Sequence, residues 1–254
     1  ARPRARSSRP RLRARSTSGF RPIRSKRRLV GFAGADAHHA LDGRDEDLAV
    51  ADLAGLGGAD EFVANLGNDR MYGGAGSDRF FGSVGNDHYD GEADNDTLSY
   101  ANSTAGIRID LASGLGSGGY AEGDSIISVE YLLGSKFNDT LLGNALNNAL
   151  EGGLGNDDIA GYAGNDVLTG SGGNDTFYFH NLGGEDVVTD FTAGPGVGDR
   201  LAVGQFGFSD LAGVLSRTND IAGGVKIQLD SNDAVFVLGT GVSRSTLVTD
   251  DFLF

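Results

Sequence analysis

Aspartates recur every nine residues, and this period restricts the fold more than any other feature of the chain. Asp60, Asp69, Asp78, Asp87 and Asp96 form one run, and two residues after each stands an apolar side chain: Phe62, Met71, Phe80, Tyr89 and Leu98. Two residues before the first four stands a glycine (Gly58, Gly67, Gly76, Gly85), with Asp94 in that place in the fifth. A second run comprises Asp139, Asn148, Asp157, Asp166 and Asp175, with Leu141, Leu150, Ile159, Leu168 and Phe177 as apolar partners. Each of its units opens on a glycine: Gly134, Gly143, Gly152, Gly161 and Gly170. Asp96 and Asp139 lie 43 residues apart, which is not a multiple of nine, so an insert separates the runs. A fixed short period is the mark of a stack of structural repeats.

The content of one unit dictates its shape. Glycine-rich residues at the start permit a tight turn. The three residues after the Asp alternate, so the apolar one points to one side and its neighbours to the other, as in a very short strand. Two turns and two strands, eighteen residues, close one coil of a flat spiral. Stacked coils give parallel strands, a thin apolar interior and aspartates in columns along both edges. Composition agrees: the chain holds 42 glycines, and its acids are 28 Asp against 7 Glu. Asp competes for its own backbone and favours turns over helix surfaces.

Columns of carboxylates do not stack unaided. Two charges ~5 Å apart at an effective dielectric of ~20 repel by roughly 3 kcal/mol. The core is thin, and with no cysteine in the chain no disulfide can staple it. A hard divalent cation answers both problems. Calcium takes about six to eight oxygens from carboxylates and backbone carbonyls, and glycine turns expose such carbonyls.

The units G-G-A-G-S-D-R-F-F (73–81) and G-G-L-G-N-D-D-I-A (152–160) fit every fixed position of G-G-x-G-x-D-x-U-x. They resemble the calcium-binding nonapeptide of the RTX (repeats-in-toxin) family, a parallel β-helix repeat. The resemblance implies an all-β fold, a parallel β-roll with a β-rich C-terminal cap. It also implies several Ca2+ ions, each held between unit n and unit n+2 by one Asp from each plus turn carbonyls. Carried over, the pairs are Asp60/Asp78, Asp69/Asp87, Asp78/Asp96, Asp139/Asp157, Asn148/Asp166 and Asp157/Asp175. The turn glycines are Gly73, Gly74, Gly76, Gly82 and Gly85 in the first run. In the second they are Gly152, Gly153, Gly155, Gly161, Gly164, Gly170 and Gly173. Asn148 lacks a charge, and Phe137 and Leu146 stand where a turn glycine belongs, which weakens their units.

The organisation expected is a leader (1–28), a linker or N-terminal cap (29–54), the first run (55–98), a β insert (99–133), the second run (134–178) and a C-terminal cap (179–254). In the insert, Ile107, Ile109 and Leu111 alternate, as do Ile127, Val129 and Tyr131, which predicts strands that continue or decorate the spiral. The cap resembles that of serralysin-type RTX proteins. Within it, residues 209–217 predict a short helix capped by Ser209, Val225, Ile227 and Leu229 alternate, and 234–238 predicts a strand. Asp186, Asp190 and Asp199 read either as further calcium ligands or as solvated strand ends. The final D-D-F-L-F resembles the C-terminal signal of type I secretion substrates; the alternative is that Phe252, Leu253 and Phe254 pack on the cap.

The net charge of −14 conceals a split, since residues 1–28 carry +12 and the remainder −26. The leader reads as a polyanion-binding arm, a transit peptide or an unselected extension. The acidic body opposes a nucleic-acid partner. The sequence shows no H-E-x-x-H, no G-x-S-x-G and no Walker loop. Asp42, Asp45 and Asp47 cluster without the EF-hand order, and His38–His39 reads either as a pair for a transition metal or as part of a flexible polar segment. The first reading is therefore a non-enzymatic, secreted bacterial protein that binds extracellular calcium after passing a type I secretion apparatus. The alternatives are the C-terminal part of a secreted protease, lipase or polysaccharide-modifying enzyme, or an adhesion module for a cell-surface polysaccharide.

Overall fold

The computed structural model describes residues 27–30, 38–40, 51–63, 66–181, 183–195 and 198–254. The greater part of the arginine-rich leader and the Asp42, Asp45 and Asp47 cluster lie outside these residues. Strands alternate between two sheets along the chain, and the described residues form a twelve-stranded first sheet and an eleven-stranded second sheet. Pairing is parallel with an eighteen-residue step: Phe62 faces Phe80 and Phe80 faces Leu98 in the second sheet, and Met71 faces Tyr89 in the first. The same step joins Leu141 to Ile159 and Leu150 to Leu168. Nine-residue units thus fill the two sheets in turn, as a parallel β-roll requires.

The period-two alternation of each short strand places one side chain inside. Arg79–Phe81 is exposed–buried–intermediate, and only its middle Phe80 is sequestered. The apolar partners of the aspartates all reach the interior, where Phe62, Met71, Phe80, Tyr89, Leu98, Leu141, Leu150, Ile159, Leu168 and Phe177 join one core. Phe62 stacks on Phe80 within the second sheet at 4.9 Å, and Phe80 meets Tyr89 of the first sheet edge-on at 5.9 Å. Some strands are six residues long, such as Arg70–Ala75 and Ala149–Leu154, because they run on into the following turn.

The insert is built unequally into the two sheets. It contributes Arg108–Asp110, Leu115–Ser117 and Ser125–Ile127 to the first sheet but only Tyr131–Leu133 to the second. Arg108–Asp110 and Ser125–Ile127 pair parallel to their roll neighbours, while Leu115–Ser117 runs antiparallel between them. Tyr131–Leu133 slots between Thr97–Ser99 and Ala149–Leu154, so the second sheet passes from one run to the other without a gap. The expected face of Ile127, Val129 and Tyr131 is not formed. Ile126, Val129 and Leu132 are buried, whereas Ile127 and Tyr131 are exposed. The chain crosses between sheets at Ser128, left-handed at φ 49°, and the crossing resets the alternation.

Beyond Phe177 the eighteen-residue step lengthens. Val167 pairs with Val187, and Thr176 with Arg200, at separations of 20 and 24. The second sheet ends in an antiparallel meander of Ala234–Leu238, Gly224–Gln228 and Thr218–Ile221, with Val225, Ile227 and Leu229 inward. The first sheet ends where Phe252–Leu253 pairs parallel with Leu201–Ala202. The short helix is Leu211–Ser216, and its cap is Asp210, whose side chain accepts from the Gly213 N–H at 2.8 Å, rather than Ser209. Asp leads Ser here because it sits one residue before the first helical position, with extended backbone (φ −162°).

Candidate metal centre

The strand register brings the repeat aspartates into two rows, one beside each sheet. Each expected pair is joined by a hydrogen bond from the backbone of the earlier residue to the carboxylate one coil on. The Asp60 N–H donates to Asp78 Oδ1 at 2.7 Å, Asp69 to Asp87 at 2.8 Å and Asp78 to Asp96 at 2.7 Å. In the second run Asp139 donates to Asp157 at 2.8 Å, Asn148 to Asp166 at 2.8 Å and Asp157 to Asp175 at 2.9 Å. Every one of these side chains is buried.

Four further acids extend the rows. The Asp87 N–H donates to Asp124 Oδ1 at 2.7 Å, Asp96 to Glu130 Oε2 at 3.0 Å, Asp166 to Asp186 Oδ1 at 3.0 Å and Asp175 to Asp199 Oδ1 at 2.9 Å. Asp124 and Glu130 were missed in the sequence because they lie 37 and 34 residues from their partners. A signal existed: Ile126 and Leu132 follow them by two residues, the same acid-to-apolar step as in the repeats. Asp186 and Asp199 are buried in the rows, whereas Asp190 is a half-buried acceptor for the Gly170 and Ser171 N–H groups.

The second carboxylate oxygens divide the turns into two kinds. Asp78, Asp96, Asp157 and Asp166 each keep Oδ2 buried with no hydrogen-bond partner. These oxygens crowd the Cα of the glycine that opens their unit. A β-carbon on Gly73 would fall on Asp78 Oδ2 and 2.7 Å from the Gly91 carbonyl oxygen. A β-carbon on Gly152, Gly161 or Gly170 would fall on the Oδ2 of Asp157, Asp166 or Asp175. In all these units the second residue is left-handed: Gly74 (φ 104°), Glu92 (68°), Gly153 (105°), Tyr162 (73°) and Ser171 (70°).

The other kind closes on itself. The Ser135 N–H donates to Asp139 Oδ2 and its hydroxyl to Oδ1 at 2.9 Å, and Asn144 N–H donates to Asn148 Oδ1 at 2.8 Å. Asp87, expected among the ligands, has Oδ2 taken by the Ser83 hydroxyl at 2.9 Å and the Tyr89 hydroxyl at 3.1 Å. Its opening glycine, Gly82, lies against the Tyr100 ring instead of a carboxylate. Asp124 Oδ2 accepts from the Tyr100 hydroxyl at 2.6 Å.

Burial raises the carboxyl pKa values. Asp96 is pushed up to about 7 by desolvation, with the negative charges of Asp78, Glu130 and Asp94 adding to it. Desolvation likewise lifts Asp157 to about 7, with Asp175, Asp139 and Asp158 nearby, and Asp166 and Asp175 to about 6. These sites hold negative charge that the protein does not neutralise. Among the described residues no three acidic or histidine side chains converge on one point, so the donors available are paired carboxylates and turn carbonyls. An all-oxygen set of orphaned carboxylates and backbone carbonyls suits calcium and not a thiophilic or imidazole-seeking metal.

The rows and turns define a calcium-binding solenoid. The RTX calcium-binding nonapeptide repeat matches the chain at four overlapping stretches, residues 54–89, 63–98, 129–159 and 151–180. The chain thus carries RTX repeats over these stretches; such repeats bind Ca2+, and several repeats take several ions. They form a structural calcium-binding module. Among solved structures the chain is similar to the extracellular lipase LipA from Serratia marcescens, at 15% identity and a TM-score of 0.32, over 84% of this chain and 42% of that one. The chain thus spans less than half the length of that protein. No curated protein matches it. No helix among the described residues is long and apolar enough to cross a membrane.

Proposed function

We propose that the chain is an exported module that remains unfolded where calcium is scarce and folds on meeting calcium outside the cell. The observation that carries this reading is the set of buried, unpartnered Oδ2 atoms of Asp78, Asp96, Asp157 and Asp166 beside glycine turns. Holding an ionised carboxylate whose pKa is lifted from 3.8 to about 7, as at Asp96 and Asp157, costs about 4 kcal/mol at neutral pH. Two such groups rival the ~5–15 kcal/mol that keeps a whole domain folded. A bound cation removes that cost, so its binding energy becomes folding energy.

The ligands in this reading are Asp78, Asp96, Asp157, Asp166 and Asp175 with the carbonyls of their glycine turns. Asp60 and Asp69 are the first acids of the rows among the described residues, and the strands His38–Ala40 and Ala51–Ala54 stack ahead of their own strands. Affinities of extracellular calcium modules, about 10⁻⁴–10⁻³ M, suit a switch between cytosol and exterior. Export belongs to a type I apparatus that reads the C-terminal D-D-F-L-F, of which Leu253 and Phe254 stay partly exposed while Asp251 and Phe252 are buried. Circular dichroism of the purified chain tests the switch: a largely unfolded spectrum in chelator and a β spectrum in millimolar calcium are expected. Identical spectra under both conditions would reject it.

A further inference from the structure

The first run meets the insert at Asp96, and the sequence pairs this residue only backwards, with Asp78. In the structure Asp96 is wholly buried, its Oδ1 accepts from the Asp78 N–H, and its Oδ2 has no partner. What faces that oxygen comes from the insert. A β-carbon on Gly91 would fall on both Asp96 Oδ2 and the Ser128 carbonyl oxygen. This repeats the relation that Gly73 has to Asp78 Oδ2 and the Gly91 carbonyl. Ser128 therefore presents its carbonyl where the next coil's opening glycine does in a regular repeat. Glu130 completes the likeness, because its Oε2 accepts the Asp96 N–H at 3.0 Å, as Asp96 accepts that of Asp78 at 2.7 Å. The strand register places Glu130 between Asp96 and Asn148 in the row.

We propose that Asp96, Glu130 and the Ser128 carbonyl form a further calcium site that joins the two runs of repeats. It rests on the reading that the orphaned carboxylate oxygens of the repeats take calcium. Neither Ser128 nor Glu130 belongs to a nonapeptide of the usual spelling, so the site is built from insert residues. The opposite row has no orphaned second oxygen at this level, since those of Asp87 and Asp124 accept from Ser83, Tyr89 and Tyr100.

Calcium counted by equilibrium dialysis on the full chain tests the site. Glu130→Gln keeps an oxygen for the Asp96 N–H and removes the charge; it is expected to bind one ion fewer than the parent. Glu151→Gln, the same change on the exposed face of the same sheet, is expected to keep the full count. An undiminished count in Glu130→Gln overturns the proposal. Crystals of the parent chain grown in calcium supply a test that needs no variant. An anomalous peak between Asp96 and Glu130 supports the site, and its absence while peaks lie beside Asp157 and Asp166 overturns it. A parent chain that binds no calcium anywhere would instead overturn the reading on which the site rests.

Discussion

A methyl group added at Gly73 probes the place where an ion is expected. Gly73 does not need a left-handed backbone, so alanine suits its conformation. Its β-carbon would nevertheless fall on Asp78 Oδ2 and 2.7 Å from the Gly91 carbonyl oxygen, displacing the carboxylate from the turn. Gly57 is the matched control, because its β-carbon would meet only the Ala75 carbonyl oxygen at 3.6 Å. Both changes stiffen the unfolded chain, which stabilises the fold by about 0.4–1 kcal/mol where the native backbone accepts it. Gly57→Ala is expected to show that gain. Gly73→Ala loses a site. At about 10 mM calcium and a Kd of ~10⁻⁴–10⁻³ M, one site contributes about 1.4–2.7 kcal/mol. The net effect expected for Gly73→Ala is destabilisation by about 0.4–2.3 kcal/mol once the unfolded-state gain is subtracted, with one bound ion fewer. Urea unfolding at fixed calcium, paired with an ion count, measures both quantities. If Gly73→Ala unfolds at the same urea concentration as Gly57→Ala and binds as many ions, the crowded glycine does not mark a calcium position.

Asp166→Ala is expected to raise the calcium midpoint for folding more than Asn148→Ala, because Asp166 brings an orphaned charged oxygen while Asn148 Oδ1 is already held by the Asn144 N–H; calcium-titrated circular dichroism ranks the two, and the reverse order contradicts the assignment. Tyr100→Phe strands Asp124 Oδ2, whose donor it removes, and is expected to destabilise the calcium-loaded chain by about 1–3 kcal/mol with an unchanged ion count; a lost ion would show that Asp124 is a ligand. In calcium-free buffer the folded state carries carboxyls lifted to about 7 at Asp96 and Asp157, so between pH 4 and 7 it holds more protons than the unfolded chain. Stability of the calcium-free chain should therefore rise as pH falls from about 8 to about 5, seen as β structure gained in chelator; a spectrum flat across that range counts against buried, raised carboxyls. Replacing both Leu253 and Phe254 by serine should lower export through a type I apparatus and leave thermal unfolding little changed, since both side chains are partly exposed; export at the parent level would remove the terminal residues from the signal.

The repeats were legible because each unit encodes its structure locally. Glycines make the turn, one apolar residue fixes the inward face, and the constant step aligns Phe62 with Phe80 and Met71 with Tyr89. The expected aspartate pairs followed from the same step. What stayed hidden depends on partners far along the chain or on backbone torsion. Asp124 and Glu130 enter the rows through pairings across the insert, where the alternation of Ile126 and Leu132 belongs to two different sheets. Asp87 looks in the sequence like its neighbours, and only the structure shows Ser83 and Tyr89 filling its second oxygen. A serine in second position, as at Ser83 and Ser135, was the available sign, although Ser171 shows that serine also takes the left-handed form there (φ 70°). Composition does not separate these outcomes; the torsion does.

The two kinds of turn are two answers to one electrostatic problem. A carboxylate pulled out of water needs donors or a cation, and leaving it with neither is far costlier than supplying either. Where tyrosine and serine hydroxyls reach the second oxygen, as around Asp87 and Asp124, that oxygen has donors from the protein itself. Where the second residue turns left-handed, as at Gly153 and Tyr162, the oxygen is left open to a cation. The insert supplies a large donor in Tyr100, whose buried ring meets Tyr89 edge-on where the first sheet gains two more strands than the second. In most regular nine-residue units the single inward residue is a hydrocarbon spent on the core, such as Phe80, Leu98, Ile159 or Leu168, and offers the carboxylate no donor; Tyr89, whose hydroxyl reaches Asp87, differs. Calcium dependence is therefore a consequence of the thinness of the roll, and it is relieved where a donor of the protein reaches the second oxygen: beside the insert, at Asp87 and Asp124, and within the second run, at Asp139.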